Sequence, residues 1–406
     1  METEGVFSGN SSEQEGPRRS VMNDAVGRYA KGIRMSNLKH VLVILVAGVF
    51  VLGCGDKPVD GKAANAGKAS EKKAAEPESY PAFSLAWSEY PSWSAFGVAS
   101  EVGIINGKKG KLGEIEKKWK VDIVLKEADY DTCLTMYGAG KADAAALTNM
   151  DSLNPALTRP TVAILPTSRS HGADALIVTE DIKDVTQLKG QKVYGLSATV
   201  SEYMFARNLE LQGQKEADYV FTNKDPAAAA LAMQQKQPGY NAIAVWNPFV
   251  LQTLSKRSDT HVLFDSTKIP GEILDLVVMS KDALKKPGGD RFAKAVIDAF
   301  YAINTRLADP KLGDDTLVAL GEKFSNLDLA SMKKVVQQTV FYANADAGLA
   351  LFKGAELKAV MDRVVKFCVS HEIVKSAPTL GYAAGNAQFT FDSTYMEAVK
   401  AKNGGQ

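Results

Sequence analysis

Trp87, Glu89, Tyr90 and Trp93 fall within one stretch, "WSEYPSW" (87–93), of a 406-residue chain that has only 4 Trp. Indole and phenol faces attract a cation or stack on a flat ring, and a carboxylate among them adds a directional acceptor. The stretch follows "FSLA" and precedes "SAFGVASEVGI", so it reads as a strand exit, a tight loop and the first turns of a helix. Aromatics at strand ends also plug the core beneath a loop, and for each Trp both readings stand.

Other chemistry is sparse. The chain has no G-x-S-x-G elbow, no Walker loop and no C-x-x-C, and "HEIVK" (371–375) lacks the second His of a zinc-protease helix. Of the 4 His, His40 sits beside an apolar leader and His171 reads as a loop residue near a crossover. A binding protein rather than an enzyme is expected, with no cofactor and no metal site.

Composition narrows the partners. With 45% hydrophobic residues and a formal net charge of +1, the chain is globular and carries no basic stripe, which sets nucleic acid aside. The Lys-rich stretch 108–120, "KKGKLGEIEKKWK", interleaves Glu114 and Glu116 and reads as a solvated helix face that also holds Trp119. Cys368 lies on the stripe Leu357, Val360, Met361, Val364, Val365, a core position, and no disulfide framework is expected.

The run "VLVILVAGVFVL" (41–52) is too short to span a bilayer, which needs about 20 residues, and suits the core of a signal peptide. Its end, "VLGC", is similar to a bacterial lipobox, which would make Cys54 the lipidated residue, although Leu52 is bulkier than the small residue often found there. A basic "MSNLKH" makes Met35 the expected start, with 1–34 an over-extended N-terminus and 35–53 the signal peptide. Residues 54–80 are rich in Ala, Lys, Gly and Glu; as a coil, 55–80 would reach about 28 Å, a tether to a membrane.

From residue 83, short apolar runs ("FSLAW", "VDIVL", "TVAIL", "ADALIV", "AIAVW", "LDLVVM") alternate with helical patterns, an α/β class with largely parallel sheets. Thr199 and Glu202 have capping-box spacing, and Asp225–Pro226 reads as a helix start. Past Pro310 the pattern is almost wholly helical to about 375. Ligands of such sheets sit outside the carboxyl ends of strands, where "WSEYPSW" falls.

The order "AFGVASEVGII", "MYGAGKADAAAL", "GADALIVTEDIKDVTQLKGQKVYGLSATVSEYMF", "AVWNPF" resembles the periplasmic binding proteins of ABC importers for taurine, sulfonates, nitrate and thiamine precursors. The resemblance covers roughly 83–300. It implies a type II periplasmic-binding fold: two doubly wound α/β lobes joined by two crossings, near 176–184 and 266–273, with a C-terminal helical extension. Residues 81–180 would begin lobe 1, 181–270 form lobe 2, and 271–406 complete lobe 1 and the extension. It also implies hinged closure on a small ligand, an ABC permease as partner, and an exported, membrane-anchored monomer. Enzymes on related folds, pyrimidine-precursor synthases and dehydratases, are the alternative, and the Cys-rich motif of the former does not appear.

Carried over residue by residue, the resemblance places four loops at the cleft. They supply Trp87, Glu89, Tyr90 and Trp93; Thr148, Asn149 and Asp151; Ser197 and Thr199; and Trp246 and Asn247. Thr199 and Glu202 can equally cap their helix, and Asn149 and Asp151 can be turn residues. These loops contain no Arg or Lys, so a small nitrogen-containing ligand, cationic or an aromatic amine, is expected over a sulfonate or taurine unless Arg169 or Arg207 swings inward.

Overall fold

The computed structural model describes residues 79–404; the expectations for the leader, Cys54 and the tether lie outside them. Among the described residues the chain forms thirteen strands. β1 (Ala82–Trp87), β2 (Asp122–Glu127), β3 (Ala144–Thr148) and β4 (Thr161–Ser170) precede a second group, β5 (Asp174–Thr179), β6 (Lys192–Gly195), β7 (Val220–Asn223), β8 (Ala242–Trp246) and β9 (Thr260–Asp265). β10 (Leu274–Ser280) returns, followed by β11 (Thr339–Phe341), β12 (Leu380–Gly381) and β13 (Phe389–Phe391).

The groups build separate sheets. One has the order β12-β13-β4-β10-β3-β1-β2, with β11 also on β4; the other has β7-β6-β8-β5-β9. Each sheet is mixed: β10 runs antiparallel to β3 and β4, and β5 antiparallel to β8 and β9. The central strands β3, β5 and β10 are buried along their whole length, as strands covered on both faces must be. Gly195 ends β6 because a Cβ there would come within 2.7 Å of the Ala244 carbonyl.

The chain crosses between sheets at 171–173 and 266–273. The second crossing matches the sequence reading. The first comes earlier than 176–184, because "DALIV" pairs into the second sheet instead of ending the first. His171 lies in that crossing, its N–H bonded to the Gln338 carbonyl.

Two surface readings change. The Lys-rich helix Glu114–Trp119 turns an inner face to the protein: Glu116 is buried and accepts from the N–H groups of Asn106, Gly113 and Ile123, while the Trp119 indole donates to Asp298 at 2.8 Å. The C-terminal extension is interrupted by strand β11 and also reaches the second lobe. Its helix Ala355–Ser370 brings Arg363 to Glu272 of the second crossing, and Phe367 edge-on to Tyr203 of helix Val200–Leu211.

Candidate functional site

Two ladder pairings create the site. Antiparallel β5 and β8 place Asp174 opposite Trp246, and antiparallel β10 and β3 place Asp275 opposite Thr148. Directly opposed residues share a face of their sheet, so each lobe presents one acid beside one strand-end residue. Loop 88–93 adds a third wall. The Tyr90 carbonyl accepts from the N–H groups of Trp93 and Ser94, a tight turn that brings the two rings to 4.8 Å. Trp93 stacks on Tyr130 at 5.6 Å, and Tyr130 meets Trp246 edge-on at 5.9 Å.

The result is a cavity of about 20 Å³ between the lobes, lined by Tyr90, Trp93, Tyr130 and Trp246, by Asp174 and Asp275, and by Thr148, Val200 and Ile273. No Lys or Arg lines it. It leaves room for a water molecule's centre over about 20 Å³, roughly one water sphere, so a ligand of several heavy atoms requires the walls to part. A larger groove, lined by Trp87, Gly97, Glu101, Lys108 and Lys323 among others, belongs to the first lobe and its adjoining helix. It mixes exposed charges of both signs and does not lie between the lobes.

The buried acids define the electrostatics. Burial pushes Asp174 up to about 6, with the Asp265 charge adding and the Ser170 hydroxyl opposing. Burial also holds Asp275 well above the usual carboxylate range, against the Ser168 hydroxyl that donates to it at 2.5 Å and with the charge of Asp174 adding. Asp151, behind the wall, is pushed up to about 6 by burial and accepts from the Tyr130 hydroxyl at 2.6 Å. The phenols of Tyr90 and Tyr130 are pushed further up by burial and stay neutral. Isolated buried carboxylates are costly unless a cation compensates them.

Of the residues read from the sequence, Tyr90, Trp93, Thr148 and Trp246 line this cavity, and Asp151 orients Tyr130. The others are placed elsewhere. Trp87 packs its ring against Gly97, where a Cβ would come within 2.9 Å of the indole. Glu89 accepts from Ser325, and burial raises its carboxyl. Asn149 donates to the Glu272 carbonyl and accepts from the Leu274 N–H, pinning the second crossing. Thr199 caps its helix by accepting from the Ser201 N–H, Ser197 donates its N–H to Asn223, and Glu202 accepts from the Ala198 N–H. Asn247 donates to Gln338, leaving its buried carbonyl oxygen unpaired. Arg207 is held outside by Glu272 and Glu210, and Arg169 does not line the cavity. Tyr130, Asp174 and Asp275 were missed, although a lone acid opening an apolar run in "GADALIV" and "ILDLVVM" is a readable signal.

Two sheets joined by two crossings, with a cavity at the seam, define the periplasmic binding protein fold, and this chain has it. The Escherichia coli periplasmic aliphatic sulphonate-binding protein SsuA matches with a TM-score of 0.57 at 19% identity, covering 74% of this chain and 90% of that one. The alkanesulfonate-binding protein SsuA of Xanthomonas axonopodis pv. citri, bound to MOPS, matches at 0.56 and 15% identity over 74% and 95% of the two chains. A Candida albicans protein described as exhibiting the generic periplasmic binding protein structural fold matches at 0.52 and 12% identity over 80% and 95%. No protein-family profile matches the sequence, and no match was found among curated proteins.

Proposed function

We propose that the protein is the solute-binding component of an ABC importer, not an enzyme, and that it closes its two lobes on a small organic cation. The observation that carries this reading is the cavity itself: four aromatic rings and two buried carboxylates, with no cationic side chain lining it. A cation over an aromatic face gains about 0.5–2 kcal/mol, and desolvated carboxylates add charge-assisted hydrogen bonds. The neighbours named for sulfonates suggest an anion instead, but an anion here would face two acids with no lining Lys or Arg to offset them.

In this reading the protein is exported by its leader, anchored through a lipid on Cys54, and works as a monomer that hands its ligand to a permease. Among the described residues no helix is long and apolar enough to cross a membrane, so the anchor would have to come from the leader region. Native mass spectrometry of gently purified protein, followed by calorimetric titration with small amines, quaternary ammonium compounds and sulfonates, tests the ligand class. Retention of a cationic compound is expected. Tight sulfonate binding unchanged by Asp275→Asn would overturn it.

A further inference from the structure

Resting on that reading, we propose that the ligand's charge resides on a nitrogen bearing hydrogens, an ammonium or amidinium, and that its N–H bonds are shared between Asp174 of one lobe and Asp275 of the other. Three observations carry this. First, each acid lies just past a crossing: Asp174 is the first residue of β5 after 171–173, and Asp275 the second of β10 after 266–273. A group held by both acids therefore ties the lobes together at the hinge.

Second, the acids are met by neutral hydroxyls. Ser168 donates to one oxygen of Asp275, the Tyr90 hydroxyl also reaches Asp275 and the Ser170 hydroxyl Asp174, and no cationic side chain lines the cavity. A quaternary ammonium has no N–H to offer the remaining lone pairs of the carboxylates, whereas an N–H cation supplies several. A cage meant for a quaternary head needs ring faces but not a pair of buried acids.

Third, the room available between the walls, about 20 Å³ for a water centre, suits a group the size of water. A ligand of either kind requires the walls to part, and a protonated amine requires less parting than a trimethylammonium group. A metal ion fits less well, because among the described residues no cluster of three or more His, Cys, Asp or Glu could hold one.

The test is calorimetric titration of the exported, processed protein with 2-aminoethanol, its trimethylated analogue choline, and the uncharged choline isostere 3,3-dimethylbutan-1-ol. The expected order is 2-aminoethanol at least tenfold tighter than choline, with no measurable binding of the alcohol. Asp174→Asn and Asp275→Asn should each weaken 2-aminoethanol by tenfold or more while changing choline much less. Choline binding equal to or tighter than 2-aminoethanol would overturn this inference and leave the cation reading standing. Failure of both cations to bind, or binding of the alcohol as tight as theirs, would overturn the cation reading itself. The probe series on the unaltered protein does not depend on any variant folding.

Discussion

Replacing Asp174 by Asn should make the ligand-free protein more stable while weakening binding of the proposed cation. Asp174 is 3% exposed and its carboxyl is pushed up to about 6 by burial, against about 3.9 in an unfolded chain. A carboxyl raised on folding binds its proton more tightly in the native state, so its favourable contribution is complete below about pH 4 and is lost as pH rises through about 6. Two units correspond to about 3 kcal/mol at 1.36 kcal/mol per unit. Asn keeps the shape of a carboxyl that is never charged. The stability difference between Asp174→Asn and the unaltered protein should therefore be near zero at pH 4, grow by about 1.4 kcal/mol per pH unit, and level off near 3 kcal/mol above pH 7. Removing the Asp174 charge also relieves Asp275, which adds to the plateau wherever Asp275 is ionised. Urea unfolding of both proteins from pH 4 to 8 measures this directly. A variant less stable than the unaltered protein at pH 8, or a difference that does not vary with pH, would refute the argument that this acid is buried at a cost.

Three further outcomes follow from placement. Trp246→Ala should weaken cation binding by about 5- to 30-fold in calorimetry, the loss of a π face worth about 1–2 kcal/mol, with a modest change in stability because this indole is only half-buried. Glu89→Gln should leave cation affinity within about twofold, since Glu89 is bonded to Ser325 and does not line the cavity. Glu272→Gln should cost about 2–3 kcal/mol in urea unfolding at neutral pH, below the 3–5 for a fully buried pair because Arg363 is half exposed. Despite burial, the Arg207 guanidinium, with Tyr203 and Arg363, holds the Glu272 carboxyl low, so that cost should shrink as acid protonates it in the unaltered protein.

The sequence made the α/β alternation, the second crossing and the aromatic loop legible, because strand ends, turn chemistry and Trp scarcity are local signals. It missed the two acids for a specific reason. Ligands lie beyond the carboxyl ends of parallel strands, and the sequence marks such ends for β1, β3 and β8, at Trp87, Thr148 and Trp246. Strands β5 and β10 are antiparallel to their neighbours, so at the seam they present their amino ends, Asp174 and Asp275. Pairing direction is a property of the sheet and cannot be read from either strand alone. Trp87 misled for the complementary reason. It ends β1, yet its side chain faces Gly97, and which face a strand's last residue takes depends on the packing of the next helix.

The position of the acids joins stability to function. A residue that is covered by its own sheet and still faces the other lobe occurs only where a strand begins or ends at the seam, and β5 and β10 begin there immediately after the two crossings. An acid at such a place is buried in the folded protein, which without a compensating cation bears about 3 kcal/mol for Asp174 alone relative to the unfolded chain. A ligand at a hundredfold excess over its Kd returns about 2.7 kcal/mol, a comparable amount. On the proposed reading, the two residues that destabilise the ligand-free protein would make closure depend on a positive charge and so select against uncharged molecules of the same shape.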